Sequence, residues 1–226
     1  FFRFYNKEKN KKDVLNTAAV SILVSSFLFA SIFSIFKINI SNFTGISTGY
    51  LSIIVWILVV DALTVIPFAY LRLKGSAIKY SVVKIINVII YFSLNIFLLI
   101  FLKDLISSNE ILESIYIENY EVTYIFIANL IASISSLLLL LPFYFEINYK
   151  ANIELLKRML AYGFPILISG LAFTINETFD KILLDFLLPA SIAKTQIGMY
   201  AACYKLAIFM TLFSTAYKLA IEPFFF

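Results

Sequence analysis

Six long apolar stretches, separated by short polar segments, make up most of this chain. As a helix rising about 1.5 Å per residue, each is long enough to cross roughly 30 Å of hydrocarbon. No stretch shows the alternation over roughly ten residues that is typical of β-barrel strands. The pattern predicts an all-α membrane protein with about six transmembrane helices, at Val14–Phe36, Tyr50–Leu71, Ile78–Leu102, Val122–Phe145, Met159–Leu188 and Ile197–Pro223.

The composition supports a membrane protein and excludes several kinds of functional site. Hydrophobic residues make up 62% of the chain and charged residues 14%, against nearly half and about a quarter in soluble domains. There is no histidine, and the one cysteine, Cys203, lies in an apolar stretch, where it is expected to pack. A His/Cys metal cluster, a disulfide within the chain and a histidine-based nucleophile are therefore excluded. No nucleotide-binding loop motif is present either, so we expect neither an enzyme nor a metal or other cofactor.

The net charge is +4, and most of the basic residues lie in loops on one side of the predicted membrane. This pattern indicates membrane topology, and we do not expect a nucleic-acid partner. Loops on the side of Phe1 carry Arg3, Lys7, Lys9, Lys11, Lys12, Arg72, Lys74, Lys79, Lys150, Lys157 and Arg158. Loops on the other side carry Lys37, Lys103 and Lys194. The positive-inside rule then places the Phe1 end in the cytoplasm and the acidic loop 103–121 outside.

Polar residues interrupt the second, third and fourth spans. Asp61 lies near the middle of the second span, and Pro67 near its end frees a carbonyl that a neighbour or water must satisfy. In the third span Lys84, Asn87, Tyr91 and Asn95 share one helical face. This stripe either hydrogen-bonds to other helices or lines a polar cavity, and Lys84 favours the cavity. The fourth span has a smaller polar face, for which helix packing is favoured, at Asn129, Ser133 and Ser136.

The fifth span carries charges within two turns. Glu177, Lys181 and Asp185 are spaced by four, and Asn176 and Asp180 form a neighbouring pair. These residues either form a neutral pair that lets the helix tolerate burial, or provide a titratable or cation-binding element beside a cavity. Near the membrane surface, their long side chains could instead reach water.

The sixth span places Tyr204, Thr211, Thr215, Lys218 and Glu222 near one face, and Lys205 lies deeper. A lysine in a shielded cavity is a counter-charge for an anionic headgroup such as a pyrophosphate. Candidate residues for one such cationic cavity lie on three different spans: Lys84, Lys181, Lys205 and Lys218.

Several motifs in order resemble one family of transporters. They are Arg3-Phe4-Tyr5, Asp61 through Pro67 with Arg72 and Gly75, Tyr162-Gly-Phe-Pro165, Asp180-Lys181, Ile197-Gly-Met-Tyr200, Tyr204-Lys205 and Glu222-Pro223-Phe224. Across nearly the whole chain this set is similar to bacterial oligosaccharide flippases, the Wzx-like polysaccharide biosynthesis proteins of the multidrug/oligosaccharidyl-lipid/polysaccharide superfamily. The sequence departs from the family at Lys181, where arginine is usual, which removes the planar fork for a bidentate phosphate contact.

The resemblance implies a fold of twelve to fourteen helices in two lobes around a central cavity, of which these spans would be the third to eighth. Residues 1–145 would belong to the first lobe, 146–226 would begin the second, and the chain would be an internal segment of a longer protein. The lobes would move an undecaprenyl-pyrophosphate-linked oligosaccharide across the bacterial cytoplasmic membrane by alternating access, for surface polysaccharide such as lipopolysaccharide.

Partners implied by the resemblance are this lipid-linked oligosaccharide, membrane lipids and other polysaccharide-assembly proteins. The candidate cavity residues are Lys84, Asn87, Tyr91, Lys181, Tyr204, Lys205 and Lys218, and the candidates for binding a coupling ion are Asp61, Glu177 and Asp180. Two alternatives are a multidrug or small-molecule exporter of the same superfamily and a membrane-embedded polysaccharide polymerase or ligase.

Overall fold

The computed structural model describes residues 1–102 and 120–225, apart from the side chains of residues 177, 190, 191 and 223–225. Within these ranges the chain is helical and contains no strand. The helices are α1 (Phe2–Lys7), α2 (Lys11–Thr44), α3 (Thr48–Leu73), α4 (Ala77–Ile96), which continues into a π-helical turn (Phe97–Phe101), α5 (Glu121–Phe145), α6 (Ile153–Leu187) and α7 (Ala190–Phe225).

Six of these described helices, α2 to α7, are long and apolar enough to cross a membrane, which confirms the predicted all-α multi-pass membrane protein. The predicted loop at 37–49 is partly wrong, and the predicted loop at 190–196 is wholly wrong. Residues 37–44 continue α2 although Lys37, Asn39 and Asn42 are polar, and the helix ends only at Gly45, which has a left-handed φ of 69°. Residues 190–196 are the start of α7. Most of the predicted acidic loop, residues 103–119, lies outside the described residues.

Residue contacts divide the chain into two compact units. Residues 9–152, with α2 to α5, form the four-helix unit, and residues 1–8 with the chain from Ile153 onward form the α6–α7 unit. The predicted lobes, 1–145 and 146–226, stay a prediction.

Helix α3 occupies the middle of the four-helix unit, where it packs against α2 and α5, and α4 packs mainly against α5. Small residues let α5 approach its neighbours closely, since Ala128, Ala132 and Ser133 are almost fully buried. Near one end of the unit, Phe68, Val83 and Leu140 from the three helices form an apolar cluster. Tyr80 closes this cluster edge-on against Phe68, with ring centroids 5.2 Å apart.

Pro67 lies inside α3 without breaking it, and the structure shows how. Proline has no N–H, so the carbonyl of Leu63, four residues earlier, lacks its helical donor. The Tyr144 hydroxyl of α5 donates a hydrogen bond to that carbonyl. A neighbouring helix thus satisfies the freed carbonyl, as the sequence predicts, and the bond fixes α5 against α3.

The segment after α5 is irregular, and side chains of α2 satisfy its backbone. The amide of Asn148 donates to the Asn16 side-chain oxygen over 3.2 Å, and the amide of Asn152 donates to the Thr17 hydroxyl over 3.0 Å. Asn16 and Thr17 are buried, so each side-chain oxygen gains the hydrogen-bond partner that a buried polar group requires. The first turns of α2 therefore hold this segment in place.

In the α6–α7 unit, the short helix α1 rests on the beginning of α6. The Arg3 guanidinium lies 4.4 Å from the centre of the Tyr162 ring, and Phe4 meets the same ring edge-on at 6.0 Å. Arg158 forms an ion pair with Glu8 at 2.9 Å. Residues from two separated motifs, Arg3-Phe4-Tyr5 and Tyr162-Gly-Phe-Pro165, are thereby in contact.

Replacing Tyr144 by Phe should lower the free energy of unfolding by about 1–3 kcal/mol, because the Leu63 carbonyl loses its donor inside a span. In a Pro67→Ala background, residue 67 regains an N–H for that carbonyl, so the same replacement should cost at least about 0.5 kcal/mol less. Unfolding of the purified protein in mixed detergent and SDS micelles measures both costs.

Tyr149→Phe is the matched control, because the Tyr149 hydroxyl donates to the Tyr144 carbonyl from an exposed side chain. Its cost should be small and independent of Pro67. Equal costs of Tyr144→Phe with and without Pro67 would contradict this account of the proline.

Candidate functional site

A polar chamber of about 400 Å³ lies among three membrane-spanning helices of the four-helix unit. Helix α3 contributes its charged residues, α4 a lysine and an amide, and α5 three small polar groups. The lining residues are Asp61, Thr64, Val65, Phe68, Arg72, Tyr80, Lys84, Asn87, Asn129, Ser133 and Ser136.

Helical spacing explains why these residues meet. On α4, Tyr80, Lys84 and Asn87 follow one another at intervals of four and three, so they share a face. The polar face of α5 and the Asp61–Arg72 face of α3 have the same spacing. The packing of α3, α4 and α5 turns these three faces towards one shared, partly open space.

Both predicted roles of the α4 stripe occur together. The Asn87 side-chain amide donates to the Ser136 hydroxyl of α5 over 2.9 Å, and Ser136 donates to the carbonyl of Ala132. Asn87 therefore joins two helices and also lines the chamber. The polar face of α5 likewise contributes to both: Ser133 and Ser136 are buried between helices, and both line the chamber.

The chamber carries charges of both signs. Lys84 and Arg72 are cations and Asp61 is an anion, which gives the lining a net charge of +1 when all three are ionised. The Lys84 ammonium lies 4.4 Å from the centre of the Phe68 ring, so an aromatic face contacts it. Among the described residues, no ion pair within 4 Å joins Lys84 to Asp61. Lys84 and Asp61 therefore both line the chamber without pairing with each other.

The other members of the α4 stripe do not reach the chamber lining. Tyr91 lies one turn beyond Asn87, and its carbonyl accepts a hydrogen bond of 2.8 Å from the Asn95 side chain. Asn95 thus satisfies its amide on its own helix. The structure brings Lys84 and Asn87 together with Asp61, and it leaves Tyr91 outside.

A second polar group lies between α6 and α7 in the other unit. The Tyr200 hydroxyl donates to the carboxylate of Asp180, which also accepts the backbone N–H of Lys181 at 2.8 Å. The Lys181 ammonium lies 4.8 Å from the centre of the Tyr204 ring. The two tyrosine rings are stacked, with centroids 6.2 Å apart. Each charge of the Asp180-Lys181 pair therefore has a tyrosine partner on α7.

Tyr200 is not among the predicted site residues. Tyr200 lies four residues before Tyr204, so both rings share one face of α7, and this spacing could have identified Tyr200 from the sequence. The predicted Glu177–Lys181 pair involves a side chain, that of Glu177, which lies outside the described residues. Lys205 and Lys218 are exposed on α7, and convergence of the four lysines on one cavity stays a prediction.

Among the described residues, no three His, Cys, Asp or Glu side chains lie close enough together to bind a metal ion. The chemistry available in the chamber is ionic and hydrogen-bonding: two cations, one carboxylate, amides and hydroxyls. Such a lining suits a ligand that carries negative charge and many hydroxyl groups.

No protein-family model matches the chain, and no curated protein or solved structure is detectably similar to it.

Asn87→Ala should lower the stability of the protein by about 0.6 kcal/mol and by no more than about 1.7 kcal/mol, because it removes a hydrogen bond between two membrane helices. The same change at Asn95 removes only a bond within α4 and should cost less. Thermal unfolding in detergent compares the two variants. A larger loss for Asn95→Ala would contradict the assigned roles.

Proposed function

We propose that the chain is part of a transporter that moves a lipid-linked oligosaccharide across a membrane. The observation that carries the proposal is the chamber with Asp61 and Lys84 within membrane-spanning helices and Arg72 at the surface end of α3. Ionisable side chains within spans are costly, and they are usually retained where they face an ion or substrate pathway. The resemblance of the ordered motifs to bacterial oligosaccharide flippases supports the same class of function.

The proposed cargo fits the chemistry of the lining. Lys84 and Arg72 would attract the pyrophosphate of the carrier lipid, since Coulomb attraction is stronger in a partly shielded site than in water. Asn87, Asn129 and the serines would hydrogen-bond to sugar hydroxyls, and the lipid tail would stay in the bilayer. The chamber volume of about 400 Å³ falls within the usual range for ligand sites, roughly 300–1,000 Å³.

Charge changes during the cycle would come from the carboxylates. Asp61 lines the chamber, and Asp180 is bound by Tyr200 in the α6–α7 unit. Either carboxylate, or Glu177, would bind a coupling cation or proton and release it when the surroundings change. Lys181, Tyr204, Lys205 and Lys218 would provide the second lobe's contacts to the cargo.

The proposed two-lobe architecture also rests on the resemblance to this family. The two lobes of a fold with twelve to fourteen helices would alternate between inward-open and outward-open states. The protein would lie in the bacterial cytoplasmic membrane with the Phe1 end inside, as the distribution of basic residues among the loops indicates. Partners would be the lipid-linked oligosaccharide, membrane lipids and other proteins of polysaccharide assembly.

An exporter of cationic drugs is the main alternative, and Asp61 is the observation in its favour. A cavity for such substrates is expected to be acidic or aromatic overall, whereas this lining has a net charge of +1. A polymerase or ligase would need a catalytic constellation, and the chamber supplies hydrogen-bonding groups without a histidine base. We therefore favour transport of an anionic, glycan-bearing lipid.

Lys84→Gln should slow transport of an undecaprenyl-pyrophosphate-linked oligosaccharide about ten-fold or more, because a charge-assisted contact to the pyrophosphate is lost. Lys84→Arg keeps the charge and should retain most activity. The measurement is the rate at which the glycan becomes accessible to an external lectin in vesicles that contain the full protein.

Lys150→Gln removes a lysine from the irregular segment after α5 and is the matched control, with an expected rate close to the wild type. Membrane content of each variant is measured in parallel, so that loss of protein is not mistaken for loss of transport. Efflux of a cationic dye with no movement of the glycan would instead support the drug exporter.

A further inference from the structure

A groove separate from the chamber opens at the end of the four-helix unit where α3 turns into α4. We propose that this groove binds one anionic phospholipid of the surrounding membrane, with an acyl chain along its wall and the phosphate at its lysine-bearing end. No residue lines both the groove and the chamber. The inference therefore stands or falls independently of the proposed transport function.

The wall of the groove is apolar and is built by three membrane-spanning helices. It is about 470 Å³ in volume, and its apolar side chains include Leu71, Val82, Val83, Ile86, Leu139 and Leu140. Val82 and Leu139 are exposed, although both lie within spans. A hydrocarbon chain is the partner that this wall suits, because burying apolar surface there exchanges no hydrogen bonds.

The end of the groove carries charge. Lys74, Lys79 and Glu146 line it beside Ser76, which gives a net charge of +1 when all are ionised. The Lys74 ammonium lies 4.4 Å from the centre of the Tyr70 ring. Lys79 is exposed and has no ion pair within 4 Å among the described residues. One phosphodiester would neutralise this net charge.

The position of these charges matches the depth of lipid headgroups. Helix α3 ends at Leu73, α4 begins at Ala77, and α5 ends at Phe145, so all three spans meet the membrane surface at this end of the unit. A basic pocket between helices at that level is the known form of a headgroup site. An apolar wall within the span, continuous with a basic end at the surface, fits a bilayer phospholipid better than a soluble ligand.

Glu146 discriminates between headgroups. A zwitterionic lipid would place its ammonium against Glu146, whereas an anionic lipid would be repelled by that carboxylate. We commit to the anionic lipid, because two cations face one anion at the groove. Glu146→Gln should therefore tighten binding of phosphatidylglycerol, and weaker binding of that lipid to this variant would overturn the assignment.

The test is native mass spectrometry of the delipidated full protein in detergent, titrated with phosphatidylglycerol. We expect one saturable site. Lys79→Gln should raise its apparent Kd about five-fold, since one basic residue at a membrane surface contributes about that much. Lys79→Arg should bind like the wild type, which separates loss of charge from misfolding.

Adjacent leucines of α5 provide the control for the wall. Leu139→Trp fills the groove and should abolish saturable binding, whereas Leu138→Trp, on a residue that is 61% exposed and outside the groove, should leave it unchanged. Lys150→Gln should also bind normally. Equal affinity for phosphatidylethanolamine, binding of inorganic phosphate in place of the lipid, or indifference to both Lys79→Gln and Leu139→Trp would overturn the proposal.

Discussion

A polar group inside a bilayer must find a partner in the protein or face water, because leaving it unpaired in hydrocarbon costs several kcal/mol. This constraint accounts for the main features of the four-helix unit. Pro67 leaves the Leu63 carbonyl without its helical donor, and Tyr144 of α5 supplies one. Asn87 meets Ser136 in the same way. Asp61, Lys84 and Asn129 line a shared chamber together with Asn87 and Ser136, so one group of contacts both joins the helices and lines the chamber.

The two units satisfy their charges differently. In the four-helix unit, Asp61 and Lys84 open into a space large enough for a ligand. Between α6 and α7, Asp180 and Lys181 each meet a tyrosine, so the pair is tied to the neighbouring helix. Each charge thus has an aromatic contact on α7. The proposed transport function assigns the open chamber to cargo and leaves the tyrosine-bound carboxylate as a candidate for coupling.

Much of this arrangement follows from the sequence, and the remainder depends on which helices are neighbours. Apolar length predicts the six spans, and helical spacing places Lys84 with Asn87 and Asn129 with Ser133. Spacing identifies a helical face but not the helix that packs against it. The sequence therefore could not show that the α4 and α5 faces meet, or that Tyr200 binds Asp180. Nor could it show that Tyr144 donates to the carbonyl that Pro67 leaves free. It also could not exclude Tyr91, because a stripe extends along a helix further than the chamber does. The end of α2 differs from the prediction because polar residues such as Lys37 and Asn39 do not by themselves stop a helix, which runs on until the left-handed Gly45.

If the chamber among α3, α4 and α5 is a pathway for a charged ligand, water-soluble reagents must reach its lining within the membrane. The most direct test is thiol labelling in a Cys203→Ala background, with single cysteines placed on α5 at Asn129, which lines the chamber, and at Ile131, which is exposed and does not. The account predicts that a charged, water-soluble methanethiosulfonate labels the cysteine at 129 much faster than that at 131, and that lipid-linked oligosaccharide slows only the former. Labelling at 129 as slow as at 131 would contradict it.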